Sequence, residues 1–274
     1  MPELPEVETI RRDLEPLIVG RTITRVQIHA GTERLAVSHS PRALEKAMTG
    51  RRIDGFGRQG KYLLARLDNG QTWVTHLRMT GSLVHKAGDA PAHRFERARI
   101  DLDDGTTMRF NDLRKFGTWH IVDDVSEAMP RNGPDAISED FTPQWLKDKL
   151  ATRSIAVKSA LLDQKVVAGV GNIYADESCW IARVDPRTPA NELTPRRVTA
   201  LHHAVLETLH ESLGDRGSSF SDYLDGLGSI GMHHMKVHVF RRDGEPCTRC
   251  GKIIQKIKLN GRGTHFCPGC QKGA

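Results

Sequence analysis

Met1-Pro2-Glu3-Leu4-Pro5-Glu6-Val7-Glu8 opens the chain, and two readings of it stand side by side. In the first it is a helix entrance. Proline suits the first helical positions and acids suit the first turn. Val7, Ile10, Leu14 and Leu17 recur at helical spacing, and Gly20 is a natural stop. In the second it is chemistry. Once the initiator methionine is removed, the Pro2 nitrogen is both an α-amine and a ring nitrogen with no peptide bond on it. An α-amine titrates near pH ~8, so a fraction is neutral at pH 7. Such an amine attacks an electrophilic carbon and forms an iminium. The Glu3 carboxylate next to it can accept and return protons. The two readings are compatible, because a nucleophile at a helix entrance has a rigid mount.

Beyond this helix the periodicity turns from helical to alternating. Ile23, Val26, Ile28 and Ala30 predict a first strand. Leu63 to Leu67 and Trp73 to Leu77 flank Asp68-Asn69-Gly70, a hairpin signal. Ile100 and Leu102 lead into Asp103-Asp104-Gly105 and out through Met108 and Phe110, a second hairpin. Trp119, Ile121 and Val122 continue the sheet. Residues 1–130 therefore read as a small β-sandwich with one helix packed at its start. Met129-Pro130-Arg131-Asn132-Gly133-Pro134 reads as a linker. After it the pattern is helical: Trp145 to Leu150, then Ile155, Ser159 and Leu162, then a helix capped by Thr194 with Leu201, Val205 and Leu209 on one face. Residues 214–236, dotted with Gly214, Gly217, Gly226, Gly228 and Gly231, read as a mobile loop. The expected class is α+β in three parts: residues 1–130, a helical domain over 131–240, and a C-terminal module over 241–274.

That last module is defined by cysteine spacing. Cys247-x2-Cys250 and Cys267-x2-Cys270 are separated by 16 residues, which suits two thiolate knuckles closing one tetrahedral zinc site. The intervening chain must form a hairpin, with Asn260-Gly261 near its middle and Lys252, Lys256, Lys258 and Arg262 along it. A closed four-sulfur site is structural and leaves no position for catalysis. The fifth cysteine, Cys179, lies in a helical pattern and reads as a small buried hydrophobe.

Composition narrows the partner. With 40 Lys and Arg against 34 Asp and Glu, the net charge is +6, which favours a polyanion. No 18-residue apolar run exists, so no membrane span is expected. Acids at Glu3, Glu6, Glu8, Asp13 and Glu15 argue against a secretory or transit peptide, and a cytoplasmic location is expected. Val157 to Gln164 and Val166 to Glu177 read as two helical pieces joined by turns, with Asn172 at the start of the second. There it is either a phosphate contact or a plain N-cap. Lys158 is a weaker phosphate candidate from local charge. Lys61 stands at a strand start, where a solvated lysine is the ordinary case. Met79 and Phe116 fall at loop tips, where each is either a core residue or a wedge that enters a base stack.

Pro2-Glu3-Leu4-Pro5-Glu6-Val7-Glu8-Thr9 resembles the N-terminus of bacterial formamidopyrimidine-DNA glycosylases, and the resemblance runs through motifs as far as Cys270. It implies a bifunctional repair enzyme that excises oxidised purines from double-stranded DNA and then cleaves the abasic strand by β,δ-elimination. It implies Pro2 as nucleophile, Glu3 in proton transfer with Glu6 in support, and Lys61 and Arg262 as proton donors. It implies that Met79 and Phe116 fill the space of the flipped base, that Arg114 bonds the orphaned opposite base, and that His93, Arg153 and Asn172 contact DNA. The helical segment resembles the family's helix–two-turn–helix motif, and one structural zinc ion completes the set. A monomer is the default. The sequence departs from the family pattern at Met232-His233 and Phe240-Arg241, where the family carries an aromatic-Gln pair and a Tyr-Gly. The alternatives are a sister glycosylase acting on oxidised pyrimidines (endonuclease VIII-like) and a non-catalytic zinc-ribbon DNA-binding protein.

Overall fold

The computed structural model describes residues 1–220 and 222–273. The chain divides into two compact units, one of Met1–Arg131 with Asp215–His234 and one of Asn132–Gly214 with Met235–Ala274. The three-part sequence division at residues 130 and 240 differs from this in two respects: segment 215–234 packs with the N-terminal unit, and residues 241–274 belong to the same unit as the helices.

In the first unit, α1 (Leu4–Ile18) starts on a capping box between Glu3 and Glu6 and has proline in its first turn. Val7, Ile10, Leu14 and Ile18 are fully buried, and Gly20 ends the run at φ 85°. The strand β1 (Ile23–Ile28) stops before Ala30, short of the sequence expectation. Next come α2 (Pro41–Met48), β2 (Ile53–Gln59), β3 (Tyr62–Leu67) and β4 (Thr72–His76). They are followed by β5 (Gly81–Ala87), β6 (Glu96–Leu102), β7 (Thr106–Asp112) and β8 (Thr118–Val122). The strands form two antiparallel four-stranded sheets, ordered β1-β6-β7-β5 and β2-β3-β4-β8. Both hairpins seen in the sequence are present, β3–β4 turning at Gly70 (φ 86°) and β6–β7 at Gly105 (φ 81°). The core holds Trp73, Phe110 and Trp119. The two indoles meet edge-on at 4.9 Å, and Phe110 lies 5.5 Å from Trp119. Burial of one large apolar side chain stabilises by roughly 1.5–3 kcal/mol, so these rings anchor the sandwich.

Segment 215–234 is held to α1 by charge. Arg216 bridges Asp13 and the fully buried Asp225, with Nη2 at 2.6 Å from each. The other Asp225 oxygen accepts the amides of Leu227 and Ser229. Gly231 is required by close approach, since a Cβ there would lie 2.3 Å from the Gly217 carbonyl oxygen.

The second unit contains α3 (Pro143–Ala151), α4 (Val157–Leu162), α5 (Asn172–Ile181) and α6 (Pro195–Gly214), then the hairpin β9 (Gln255–Leu259) and β10 (Arg262–Phe266). Leu201, Val205 and Leu209 form one buried face of α6, as their spacing predicts. Cys179 is fully buried on α5, and burial pushes its thiol well above the usual range. Among the described residues, no helix is long and apolar enough to cross a membrane.

Candidate active site and nucleic-acid interface

The head of α1 is a closed network of carboxylates. Glu3 and Glu6 are each 1 % exposed, and Pro2 is buried beside them. The Glu3 amide donates to Glu6 Oε2 at 2.8 Å, while Glu6 Oε1 accepts the Ser218 amide at 2.8 Å. The Tyr223 hydroxyl donates to the Glu6 carbonyl at 3.3 Å. Pro2 therefore sits on a mount whose geometry is fixed from both the helix and segment 215–234.

One turn further along, Glu8 accepts from Arg11, Arg12 and Arg58. Burial drives its carboxyl upward, but the three guanidinium bonds outweigh burial and hold it down at about 2. Arg58 Nη1 also donates to the Gly60 carbonyl at 2.8 Å. The chain Glu8–Arg58–Gly60 thus fixes the β2–β3 turn, where Gly60 takes φ 56° and Lys61 follows, 7 % exposed. The ordinary solvated lysine is not what stands there.

His76, at the end of β4, is a site residue that the sequence reading passed over, although it opens the stretch leading to Met79. Its ring Nδ1 accepts the Arg78 amide at 2.9 Å, so the neutral ring carries its proton on Nε2. Burial, aided by the charges of Arg78 and Lys61, pushes its pKa down to about 3. Acid stability should report both groups. Below 6.5 the unfolded chain protonates His76 before the folded one does, and below 4.5 the same holds for Glu8. The unfolded state then binds more protons, so stability falls as pH drops. Thermal unfolding is expected to show Tm declining from pH 6.5 toward pH 3, with His76→Gln flattening the upper part of that decline. A Tm independent of pH over this range would contradict the assigned protonation states.

Met79 and Phe116 are not core residues. Phe116 is 49 % exposed, and both line an open pocket of about 480 Å³ together with Met1, Arg34, Arg78 and Lys115. The backbone that presents them is left-handed at Arg78 (φ 55°) and Lys115 (φ 58°), where non-glycine residues are uncommon. Arg114 is exposed, its guanidinium 4.7 Å from the Phe116 ring centre. His93 is exposed, and its Nδ1 accepts the Phe95 amide at 3.3 Å. The first unit thus gathers Pro2, Glu3 and Glu6, and sets Met79 and Phe116 around one pocket with Met1.

In the second unit, Asn172 is the first residue of α5 and Gly171 is the N-cap, so the plain-cap reading of Asn172 does not hold. Its Nδ2 donates to the Gly263 carbonyl at 3.1 Å. That contact brings the helix N-terminus to the residue after Arg262, which is exposed at the start of β10. The hairpin turns through Asn260 (φ 46°) and Gly261 (φ 77°). Arg153 is half-buried, with Nη1 donating to the Lys149 carbonyl at 2.6 Å and Nη2 to Asp163 at 3.3 Å. Lys158 does not serve as a phosphate contact. It is 1 % exposed, and its Nζ is taken by Asp176 at 2.7 Å and by Gly263 O and Thr264 Oγ1 at 2.8 Å. The second Asp176 oxygen accepts the His265 amide at 2.9 Å, so α4, α5 and the hairpin share one buried ion pair. Breaking such a pair costs about 3–5 kcal/mol. Phe240, at one departure from the family pattern, is buried with its amide on the Glu177 carboxylate at 2.8 Å.

The four cysteines fit a metal. All four sulfurs lie within 4.8 Å of one another, Cys247 and Cys270 at 3.8 Å and Cys250 and Cys267 at 3.4 Å. Four sulfurs at about 2.3 Å from a zinc ion in a tetrahedron stand about 3.8 Å apart. Trp180 Nε1 donates to Cys247 Sγ at 3.4 Å, an outer bond of the kind that orients a ligand. Zinc supplies cross-linking here, and the closed donor set gives it no part in the chemistry.

Residues 1–119 match the formamidopyrimidine-DNA glycosylase N-terminal domain, 132–223 the formamidopyrimidine-DNA glycosylase H2TH domain, and 244–273 the zinc finger found in FPG and IleRS. The formamidopyrimidine-DNA glycosylase of Herpetosiphon aurantiacus is 41% identical over 273 residues, covering 99% of this chain and 100% of the relative. That of Bacillus subtilis is 41% identical over 275 residues, covering 99% of each. Among solved structures, the Lactococcus lactis enzyme with Fapy-dG DNA superposes with a TM-score of 0.90 at 37% identity, covering 98% of this chain and 100% of that one. Its complex with abasic-site DNA gives 0.90 at 37%, covering 98% and 99%. With family models matching most of its length and relatives 41% identical over 99% of it, the chain belongs to the formamidopyrimidine-DNA glycosylase family.

Proposed function

We infer that this protein is a DNA glycosylase of base excision repair that removes oxidised purines and cleaves the resulting abasic strand. The observation that carries the reading is the head of α1, where Pro2 lies buried against the Glu3–Glu6 network. In the reaction, the Pro2 nitrogen attacks the anomeric sugar carbon as the bond to the damaged base breaks. The base leaves with the bonding electrons and takes a proton. Glu3 moves protons at the sugar as its ring opens to the iminium, and Glu6 keeps Glu3 in place through its amide. The iminium acidifies the neighbouring sugar carbon, and successive eliminations expel the 3′ and then the 5′ phosphate. Lys61 and Arg262 supply protons in these steps and screen phosphate charge.

DNA opening is assigned to Met79 and Phe116 as wedges and to Arg114 as donor to the unpaired opposite base. His93, Arg153 and Asn172 bind the backbone. Extraction of a base costs a few kcal/mol, which the wedges partly offset. The substrates seen with the L. lactis relative, Fapy-dG and abasic DNA, are the class expected here. We assign catalysis to residues 1–131 with 215–234, DNA gripping to 132–214 with 235–240 and the zinc hairpin to 241–274, in a cytoplasmic monomer.

The test is borohydride trapping and excision on matched duplexes carrying 8-oxoguanine or an oxidised pyrimidine. A trapped adduct with preferential release of 8-oxoguanine is expected. Preferential release of the pyrimidine would transfer the chain to the sister specificity, and DNA binding without any adduct would leave a non-catalytic binder.

A further inference from the structure

Asp112 ends β7, is 1 % exposed, and has no part in the reaction scheme. Its carboxylate is fully shared out among loops. Oδ1 accepts the Thr80 hydroxyl and, at 3.1 Å, the Arg114 amide. Oδ2 accepts the amides of Phe116 and Gly117, both at 2.8 Å. Its own amide donates to the Phe95 carbonyl at 2.9 Å, and its carbonyl accepts Arg97 Nε at 2.7 Å. Three loops converge on this residue: the one with Met79, the one with His93, and the one with Arg114 and Phe116.

The loops have little freedom to settle elsewhere. A Cβ on Gly117 would stand 2.4 Å from Phe110 Cζ and 3.3 Å from Asp112 Oδ2. Lys115 and Arg78 are held in left-handed backbone, which persists only where the surroundings over-determine it. A carboxylate is suited to the task because an ionised one offers only acceptors, about four lone-pair sites for four donors.

We propose that Asp112 is the positioning residue that sets the Met79 and Phe116 wedges and the Arg114 fork at one fixed spacing before DNA arrives. The proposal rests on the reading of those side chains as the DNA-opening set. In Asp112→Asn, an N–H₂ group faces backbone N–H donors, at least one of them is left unpaired, and the loops separate. Misplacement by about an ångström costs on the order of a hundredfold in rate where geometry is the source of catalysis.

The test compares two substrates that share the Pro2 chemistry: a duplex with 8-oxoguanine, which must be opened, and a single-stranded abasic oligonucleotide, which has no stack to open. Asp112→Asn is expected to lose about tenfold or more on the duplex and to retain cleavage of the single strand. The fluorescence rise of 2-aminopurine beside the lesion on binding is expected to vanish with it. An equal loss on both substrates, or none on the duplex, overturns the proposal. Thr80→Val removes one of the four donors without burying an unpaired amide, and Thr80→Ser restores it. A duplex-only loss in the first, recovered in the second, is expected, and its absence overturns the proposal even where Asp112→Asn does not fold. Wild-type protein that cleaves neither substrate would instead overturn the functional reading itself.

Discussion

Protein that retains Met1, verified by mass spectrometry of the N-terminus, is expected to form no borohydride-trapped adduct and to lose strand cleavage by at least about a thousandfold. The cause is electronic. In an acylated Pro2 the nitrogen lone pair is delocalised into the peptide carbonyl, and no amine remains to attack. Met1 also lines the pocket that Met79 and Phe116 share, so its side chain stands beside the two residues assigned as wedges. Processing thus frees the nucleophile and clears Met1 from that pocket. Pro2→Gly on processed protein is a gentler change, since a primary amine also forms an imine. It gives up the ring that fixes the nitrogen, and a loss of roughly ten- to a hundredfold in trapping is expected. Neither change should move Tm by much, because α1 begins at Leu4 and its buried face starts there and at Val7. A Met1-bearing chain that cuts at the native rate would require another nucleophile.

What the sequence disclosed follows from how local each signal is. The β3–β4 and β6–β7 hairpins were legible because Asp68-Asn69-Gly70 and Asp103-Asp104-Gly105 set their turns chemically, between alternating apolar runs. Strand β2 was not, since Gly55 and Gly57 interrupt it and only Ile53 and Phe56 are buried on its inner face. Helix α2 buries only Leu44 and Met48, too little periodicity over eight residues to be read. The zinc site was legible because its spacing is its geometry. Lys158 misled because charge alone does not state burial, and its partner Asp176 is 18 positions away on another helix. Asp112 and His76 were invisible for a related reason. Their roles consist of bonds to loops brought together by the sheets, and no motif in the chain announces them. The packing of segment 215–234 was likewise set by partners far away in sequence, Asp13 and Glu6.

Removal of zinc by a strong chelator, or by Cys267→Ser, is expected to abolish specific binding of lesion duplex while leaving the sandwich unit folded. Structural zinc in small ribbons is worth about 10–16 kcal/mol of apparent binding free energy, far more than a hairpin of two five-residue strands supplies by itself. The apolar cluster around the site shows why no substitute exists. It contains Trp180, Val239 and Ile254 with Cys247 and Cys267, too few side chains to close a core without the metal. Loss of the hairpin does not stop at the ribbon. Gly263 and Thr264 hold Lys158, and His265 meets Asp176 through both its amide and its ring Nδ1, so the buried ion pair loses four of its bonds and α5 is released along with the Asn172 contact to Gly263. Hydrogen exchange should therefore quicken in β9, β10 and at the start of α5, with protection in β3, β4, β6 and β7 unchanged. The same treatment should leave Pro2 able to form an adduct with a small aldehyde, since the amine and its Glu3–Glu6 mount belong to the other unit. Unchanged exchange at α5 in the metal-free protein would separate the ribbon from the helical motif and remove the argument that zinc positions Arg262 and Asn172 together.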